Sequence, residues 1–213
     1  MSQHEAAVSS SVFFTQKEEM PMKISRFKWA LSAAALAMSA SAFAAPPTPA
    51  MISNACAGCH GTNGASAGPS MPSLAGHNKE SIVTAMKKFK SGERPGTVMG
   101  RLAKGYSDAD FVAMADFFSK QKFHATSQAL DAAKVARGKS LEEESCSRCH
   151  MESGKEGKDD SPIMASQWLP YLEIQMNQYL SGHRKMPEKM AEKVKPLSKQ
   201  DLDALLHFYA SVK

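Results

Sequence analysis

All four cysteines of this 213-residue chain sit in two copies of one device, "CAGCH" at 56–60 and "CSRCH" at 146–150. Two thiols three residues apart with an imidazole directly after the second allow a small set of chemistries. Simple disulfides would leave both histidines without a purpose. A zinc centre built from C-x-x-C pairs needs the two pairs brought together on one ion. A redox dithiol wants a βαβ setting, which the residue pattern lacks. The fourth chemistry uses every residue of the device. The thiols of C-x-x-C-H add to a porphyrin, and the adjacent histidine is thereby presented to the iron as an axial ligand, the arrangement of c-type haem.

Whether this is one shared site or two is decided by a repeat. Shifting the chain by ninety residues aligns Cys56 with Cys146, Cys59 with Cys149, His60 with His150, Pro72 with Pro162, Met86 with Met176, and "KSGER" with "LSGHR". With one further inserted residue, Met99 aligns with Met190, Ser107 with Ser198, Asp110 with Asp201, and Phe117-Phe118 with Phe208-Tyr209. Each copy thus repeats its own histidine, proline and methionine, which a single four-cysteine site would not require. The expectation is two sites, one per copy.

The second axial ligand must come from elsewhere in each copy. Met99 and Met190 are the expected pair, with the metal held by His60 and Met99 in one copy and by His150 and Met190 in the other. A thioether opposite imidazole raises the reduction potential, as suits electron transfer, and leaves no open position for a substrate. A methionine is more often core filler, and Met86 and Met176, on apolar helix faces, are assigned to packing. Met186 rivals Met190 but has no methionine counterpart in the first copy. His77 and His183 lack histidine partners in the other copy and read as surface residues. A ligating histidine normally donates its other ring N–H to a fixed acceptor; the carbonyls of Pro72 and Pro162, or plain loop punctuation, are the two readings of the repeated proline. Trp168 reads as a haem-edge cover or a packing residue, and Arg101 and Arg184 as propionate partners or solvent-facing groups. Lys185, Lys189, Lys193, Lys195 and Lys199 form a solvated strip or a docking patch for an acidic partner.

The elements that must position these groups are helical. Ile82, Val83, Met86 and Phe89 share one face of a helix over Lys79 to Ser91, and Leu172, Met176 and Tyr179 repeat it. Ser107 with Asp110, and Ser198 with Asp201, are capping boxes opening the helices that carry Phe111, Met114 and Phe118, or Leu202, Leu205 and Tyr209. No run of alternating β-branched residues occurs, so the fold class is all-α, two tandem domains related by internal duplication. Loops at 61–77 and 151–167 are long for units this small, which bury little core of their own. A bound porphyrin would fill the middle.

Residues 22–44 read as a secretory signal peptide, with Lys23, Arg26 and Lys28 before a short apolar run and Ala42-Phe43-Ala44 as the cleavage site. Residues 1–21 fit no such logic and are expected to be a non-native or disordered extension. The first domain is expected over 45–124 and the second over 125–213, joined near Gln121 to Ser127. The net charge of +5 is spread without a dense basic block, which excludes a nucleic-acid footprint. No G-x-G-x-x-G follows an expected strand, so no dinucleotide or flavin site is expected on this chain.

"CAGCHGTNG", "GPSMPSLAG", "KSGERPGTVMGRLAKGYSDADFVAMADFF", "SQWLPYLEIQMNQYLSG" and the closing "LLHFYAS" resemble the two-haem cytochrome subunit of flavocytochrome c sulfide dehydrogenase, from about Met51 onward. The dihaem cytochrome c4 proteins share the duplicated architecture. The resemblance implies two class I cytochrome c domains and two covalently bound haem c groups on Cys56, Cys59, His60, Met99, Cys146, Cys149, His150 and Met190. It implies a periplasmic subunit without a catalytic site of its own, taking electrons from an FAD-containing sulfide dehydrogenase subunit in a heterodimer and passing them to a downstream acceptor. The FAD belongs to the partner alone. A free-standing carrier feeding a terminal oxidase is the alternative. Ser166, where the first copy has Gly76 and these families usually keep glycine, puts the second copy's loop geometry in question.

Overall fold

The computed structural model describes residues 47–157 and 161–213. The expected signal peptide and the extension before it lie outside the described residues. In the first half, α1 (Pro49–Asn54) starts with the Thr48 hydroxyl accepting the Met51 N–H, and α2 (Ala57–His60) follows. A turn of 3-10 helix at Thr62–Gly64 leads into the loop before α3 (Lys79–Ser91). Asn78 caps α3 by accepting the Ser81 N–H at 2.7 Å, and Gly92 ends it in the left-handed conformation. Then come α4 (Met99–Leu102) and α5 (Asp108–Ser119), the latter opened by the reciprocal Ser107–Asp110 box.

The second half runs through α6 (Ala132–Ser145), the irregular turn α7 (Met151–Gly154), α8 (Leu169–Leu180), α9 (Glu188–Val194) and α10 (Lys199–Ser211). The Ser198–Asp201 box opens α10 in the same way. Among the described residues the only extended piece is Glu156–Gly157, bridged to His150 and Met151. Both halves are therefore helical, and the helices expected over 79–91 and after the two capping boxes are present.

Each half closes on a small apolar cluster. Ile82 and Met86 of α3 meet Phe111, Met114, Ala115 and Phe118 of α5, and Leu141 of α6 and Leu172 of α8 meet Leu205, Leu206, Phe208 and Tyr209 of α10. Each Leu, Ile, Met or Phe among them contributes about 1.5–3 kcal/mol by leaving water. The clusters are thin, and Cys56 and Cys146 lie on their borders. At the α6–α10 crossing a Cβ on Gly138 would stand 2.1 Å from the Ala204 carbonyl oxygen, so only glycine lets the helices approach this closely.

The loops repeat as faithfully as the helices. The Gly64 carbonyl accepts the N–H groups of Leu74 and Ala75, and the Gly154 carbonyl those of Met164 and Ala165, all between 2.7 and 3.2 Å. Gly76 donates to Phe118 and Ser166 donates to Tyr209, tying each loop to the end of its last helix. Ser166 keeps the left-handed conformation of Gly76, with φ of +56° against +75°. A non-glycine residue there costs about 1–2 kcal/mol. The offset comes from Thr126, whose N–H donates to Ser166 Oγ and whose hydroxyl donates to the Ser166 carbonyl, both at 2.7 Å in a fully buried setting. The departure from glycine therefore leaves the second loop's path intact.

Candidate haem sites

Each C-x-x-C-H device folds into the same turn. The N–H groups of Cys59 and His60 donate to the Cys56 carbonyl at 3.2 and 3.0 Å, and those of Cys149 and His150 to the Cys146 carbonyl at the same distances. Both cysteines of each pair are thereby set on one turn, the first half-buried at the cluster's border and the second exposed. All four are free. Burial, reinforced by the neighbouring Cys59, raises the Cys56 thiol pKa, and burial raises that of Cys146.

His60 is 6% exposed, and its Nδ1 donates to the Pro72 carbonyl at 2.9 Å. That bond fixes the tautomer and leaves Nε2 as the nitrogen with a free lone pair. Burial pulls the His60 pKa down, with the Pro72 bond opposing in part, so the imidazole is held in the neutral form that ligates iron. In the second half burial lowers the His150 pKa likewise, with Tyr209 edge-on at 6.1 Å between ring centroids. The Pro162 carbonyl is close enough to be felt by His150, but Nδ1 is buried without a well-formed hydrogen bond. Of the two prolines singled out by the repeat, Pro72 is thus a bonded acceptor.

Met99 opens α4, half-buried, and packs on the same cluster that Cys56 borders. Met190, on α9, is half-buried but is not among the side chains packed on the second cluster, whereas Met164 and Met176 are. Met186 is half-buried too. The structure therefore brings Cys56 and Met99 to one cluster and leaves Met190 outside its counterpart. Among the described residues no three His, Cys, Asp or Glu side chains converge as a zinc site would require. A neutral imidazole anchored through Nδ1, next to two free thiols on one turn, is a donor set that fits covalent haem.

Residues 49–122 match the family described as cytochrome c, and residues 133–208 that described as cytochrome C oxidase, cbb3-type, subunit III. Cytochrome c4 of Azotobacter vinelandii is 30% identical over 148 residues, 61% of this chain and 69% of that protein. The chain belongs to the cytochrome c4 family of two-domain cytochromes c. The cytochrome subunit of sulfide dehydrogenase from Chlorobaculum tepidum is 47% identical over 68 residues, 32% of this chain and 61% of that subunit. This cytochrome therefore matches less than two thirds of that relative's length. The crystal structure of reduced cytochrome c4 from Pseudomonas stutzeri superposes with a TM-score of 0.64 at 25% identity, covering 75% of this chain and 94% of that one. Electron transfer through covalently bound haem c in two domains is the role of a cytochrome of this kind. Among the described residues no helix is long and apolar enough to cross a membrane.

The two halves of this cytochrome meet through polar side chains that local sequence patterns do not show. Gln167 is 3% exposed; its Oε1 accepts the Ser73 N–H at 3.0 Å, and its Nε2 donates to the Ser73 carbonyl and to His77 Nε2, both at 2.9 Å. His77, expected at the surface, is instead buried here, because Gln167 from the second half covers it. Burial alone lowers its pKa to about 4. Trp168 is a packing residue across the halves, donating through Nε1 to the Ser66 carbonyl at 3.1 Å, and Asn78 Nδ2 donates to the Ser161 carbonyl at 3.0 Å.

Arg94 reaches Tyr171 Oη at 3.3 Å and Gln175 Oε1 at 2.6 Å, and Arg184 donates to that same Gln175 oxygen at 3.0 Å. His183 is exposed and bonded to Ser181 Oγ, Arg101 is exposed, and the five lysines from Lys185 to Lys199 all face solvent. The signal that sequence reading could have used for Gln167 is its alignment with His77 in the repeat, since both are polar residues in otherwise apolar loop ends.

Proposed function

We propose that this cytochrome is the periplasmic electron-accepting subunit of a sulfide-oxidising flavoprotein, passing electrons on to a downstream acceptor. In this reading Cys56 and Cys59 bond one haem c and Cys146 and Cys149 the other. His60 and Met99 would hold one iron, and His150 and Met190 the other. The haems supply reversible one-electron chemistry when bound. His60, held by Pro72, would supply one iron ligand, and the thioethers would leave no place on the iron for water or small substrates. No catalytic site is assigned to this chain. The first domain is taken as 45–124 and the second as 125–213, with the linker around Thr126 belonging to the second half by its hydrogen bonds.

The observation that carries the electron-transfer part is the pair of identical C-x-x-C-H turns, one at the border of each cluster. The partner rests on the likeness to the sulfide dehydrogenase subunit. It is chemically apt, because an FAD reduced by two electrons on the partner needs successive one-electron acceptors, and two haems in one chain offer both. A free-standing carrier feeding a terminal oxidase is the second reading, favoured by the cytochrome c4 likeness across both halves.

Purification from the native host with haem and flavin quantitation on one sample separates them. Two covalent haems co-eluting with one FAD on a larger chain, and reduced on addition of sulfide, is the expected result. A chain that elutes alone and ignores sulfide establishes the carrier instead, and bare thiols in material matured with working haem-attachment machinery would remove both readings.

A further inference from the structure

One peptide unit joins the second half of the chain to His60. Its carbonyl, on Pro72, accepts from His60 Nδ1 at 2.9 Å, and its N–H, on Ser73, donates to Gln167 Oε1 at 3.0 Å. A peptide is planar and resonance-coupled, so a hydrogen bond donated by its N–H makes its carbonyl a stronger acceptor, and the plane itself cannot turn without breaking one bond or the other. Gln167 is pinned in turn by the Ser73 carbonyl and His77, and the whole group is buried.

The repeat gives an internal comparison. The matching peptide of the second copy is Pro162–Ile163, where among the described residues nothing from the first half bonds the Ile163 amide. There His150 Nδ1 is left without a well-formed bond. The residue in the position of Gln167 in the first copy is His77, whose own bond goes to Gln167.

We propose that Gln167 is a positioning residue acting across the domain boundary: through the Ser73–Pro72 peptide it orients and strengthens the hydrogen bond from His60. A stronger bond at Nδ1 makes the imidazole a more basic ligand and favours ferric iron. Gln167 therefore lowers the first haem's potential, and that potential depends on the halves staying docked. The inference rests on the assignment of haem to Cys56, Cys59 and His60.

The test is a redox titration of two-haem protein carrying Gln167→Met, which keeps the volume and loses the amide. Haem-methyl NMR resonances follow each haem separately. The first haem's reduction should become about tenfold more favourable, or about 59 mV for one electron, with the second unmoved. The His60 Nδ1 proton should also exchange faster with solvent. His77→Gln, which keeps an acceptor for the Gln167 amide and leaves the Ser73 clamp in place, should move neither potential. If Gln167→Met does not accumulate, Gln167→Asn, too short to span both Ser73 groups, should shift the first haem in the same direction. Equal shifts of both haems, or none, in a protein with both haems attached would overturn the inference while leaving the proposed function intact. Absence of haem at Cys56 and Cys59 would instead remove the proposed function.

Discussion

Acidification acts on the contact between the halves through one group, His77. Gln167 cannot flip its amide without losing both bonds to Ser73, so it presents an N–H to His77 Nε2. His77 must accept there, which requires the neutral ring with its proton on Nδ1. Burial is the cause of its lowered pKa, about 4 against an ordinary 6.5, and no charged neighbour contributes. A base with a depressed folded-state pKa binds fewer protons folded than unfolded. Its stabilising contribution is therefore complete above about pH 6.5, is lost as the pH falls below that, and stops changing below the folded value. A span of about 2.5 units at 1.36 kcal/mol each gives about 3 kcal/mol between pH 7 and pH 4. His77→Gln replaces the ring with a group that does not titrate. Urea unfolding of the two-haem protein and the variant at intervals from pH 7.5 to 4 should show the wild type losing about 3 kcal/mol relative to the variant. His60 and His150 are common to both proteins and cancel in the difference. Stability curves that stay parallel across this range would refute the burial argument.

Three further outcomes are expected. Gly138→Ala forces a methyl to within 2.1 Å of the Ala204 carbonyl, so α6 and α10 must separate; overpacking of this kind costs about 1–3 kcal/mol, read as a lower urea midpoint. Glu142 is 2% exposed with an unbonded carboxyl oxygen, and burial, followed by the charge of Glu143, raises its pKa. A raised acid favours the folded state below its unfolded value and loses that contribution as the pH climbs through the folded one. Glu142→Gln should therefore gain thermal stability relative to wild type as the pH rises from 4 to 8, and a constant difference would count against it. Met99→Ala and Met190→Ala should each remove one haem's share of the red-end charge-transfer absorption of ferric Met-ligated haem. Full retention in either variant rules that methionine out.

What was legible in the sequence is what repeats or obeys a local period. The apolar stripe around Lys79 to Ser91 marks α3, and the two capping boxes mark the starts of α5 and α10, because a helix face and a cap are set by residues three or four apart. The helices before the cysteine turns are harder to see. α1 is six residues long, and α6 announces itself chiefly through Asp131 accepting the N–H groups of Ala133 and Lys134. The repeat pairs Met190 with Met99, while the fold packs only Met99 on its cluster.

The contact between the halves escaped for a different reason. Its bonds join residues some ninety positions apart, such as Ser73 with Gln167, and no window of sequence contains both partners. Duplication adds a constraint of its own, because positions equivalent by the repeat meet each other where the copies pack. His77 lies against Gln167, its own counterpart, and Arg94 and Arg184, also counterparts, share the single oxygen of Gln175. A histidine on one side and a glutamine on the other supply an acceptor for a donor inside a buried contact, where an unmatched polar pair would cost about 1–3 kcal/mol. The cysteine–histidine turns keep the same backbone hydrogen bonds in both copies, whereas at the contact the equivalent positions 77 and 167 carry different residues because each must complement the other.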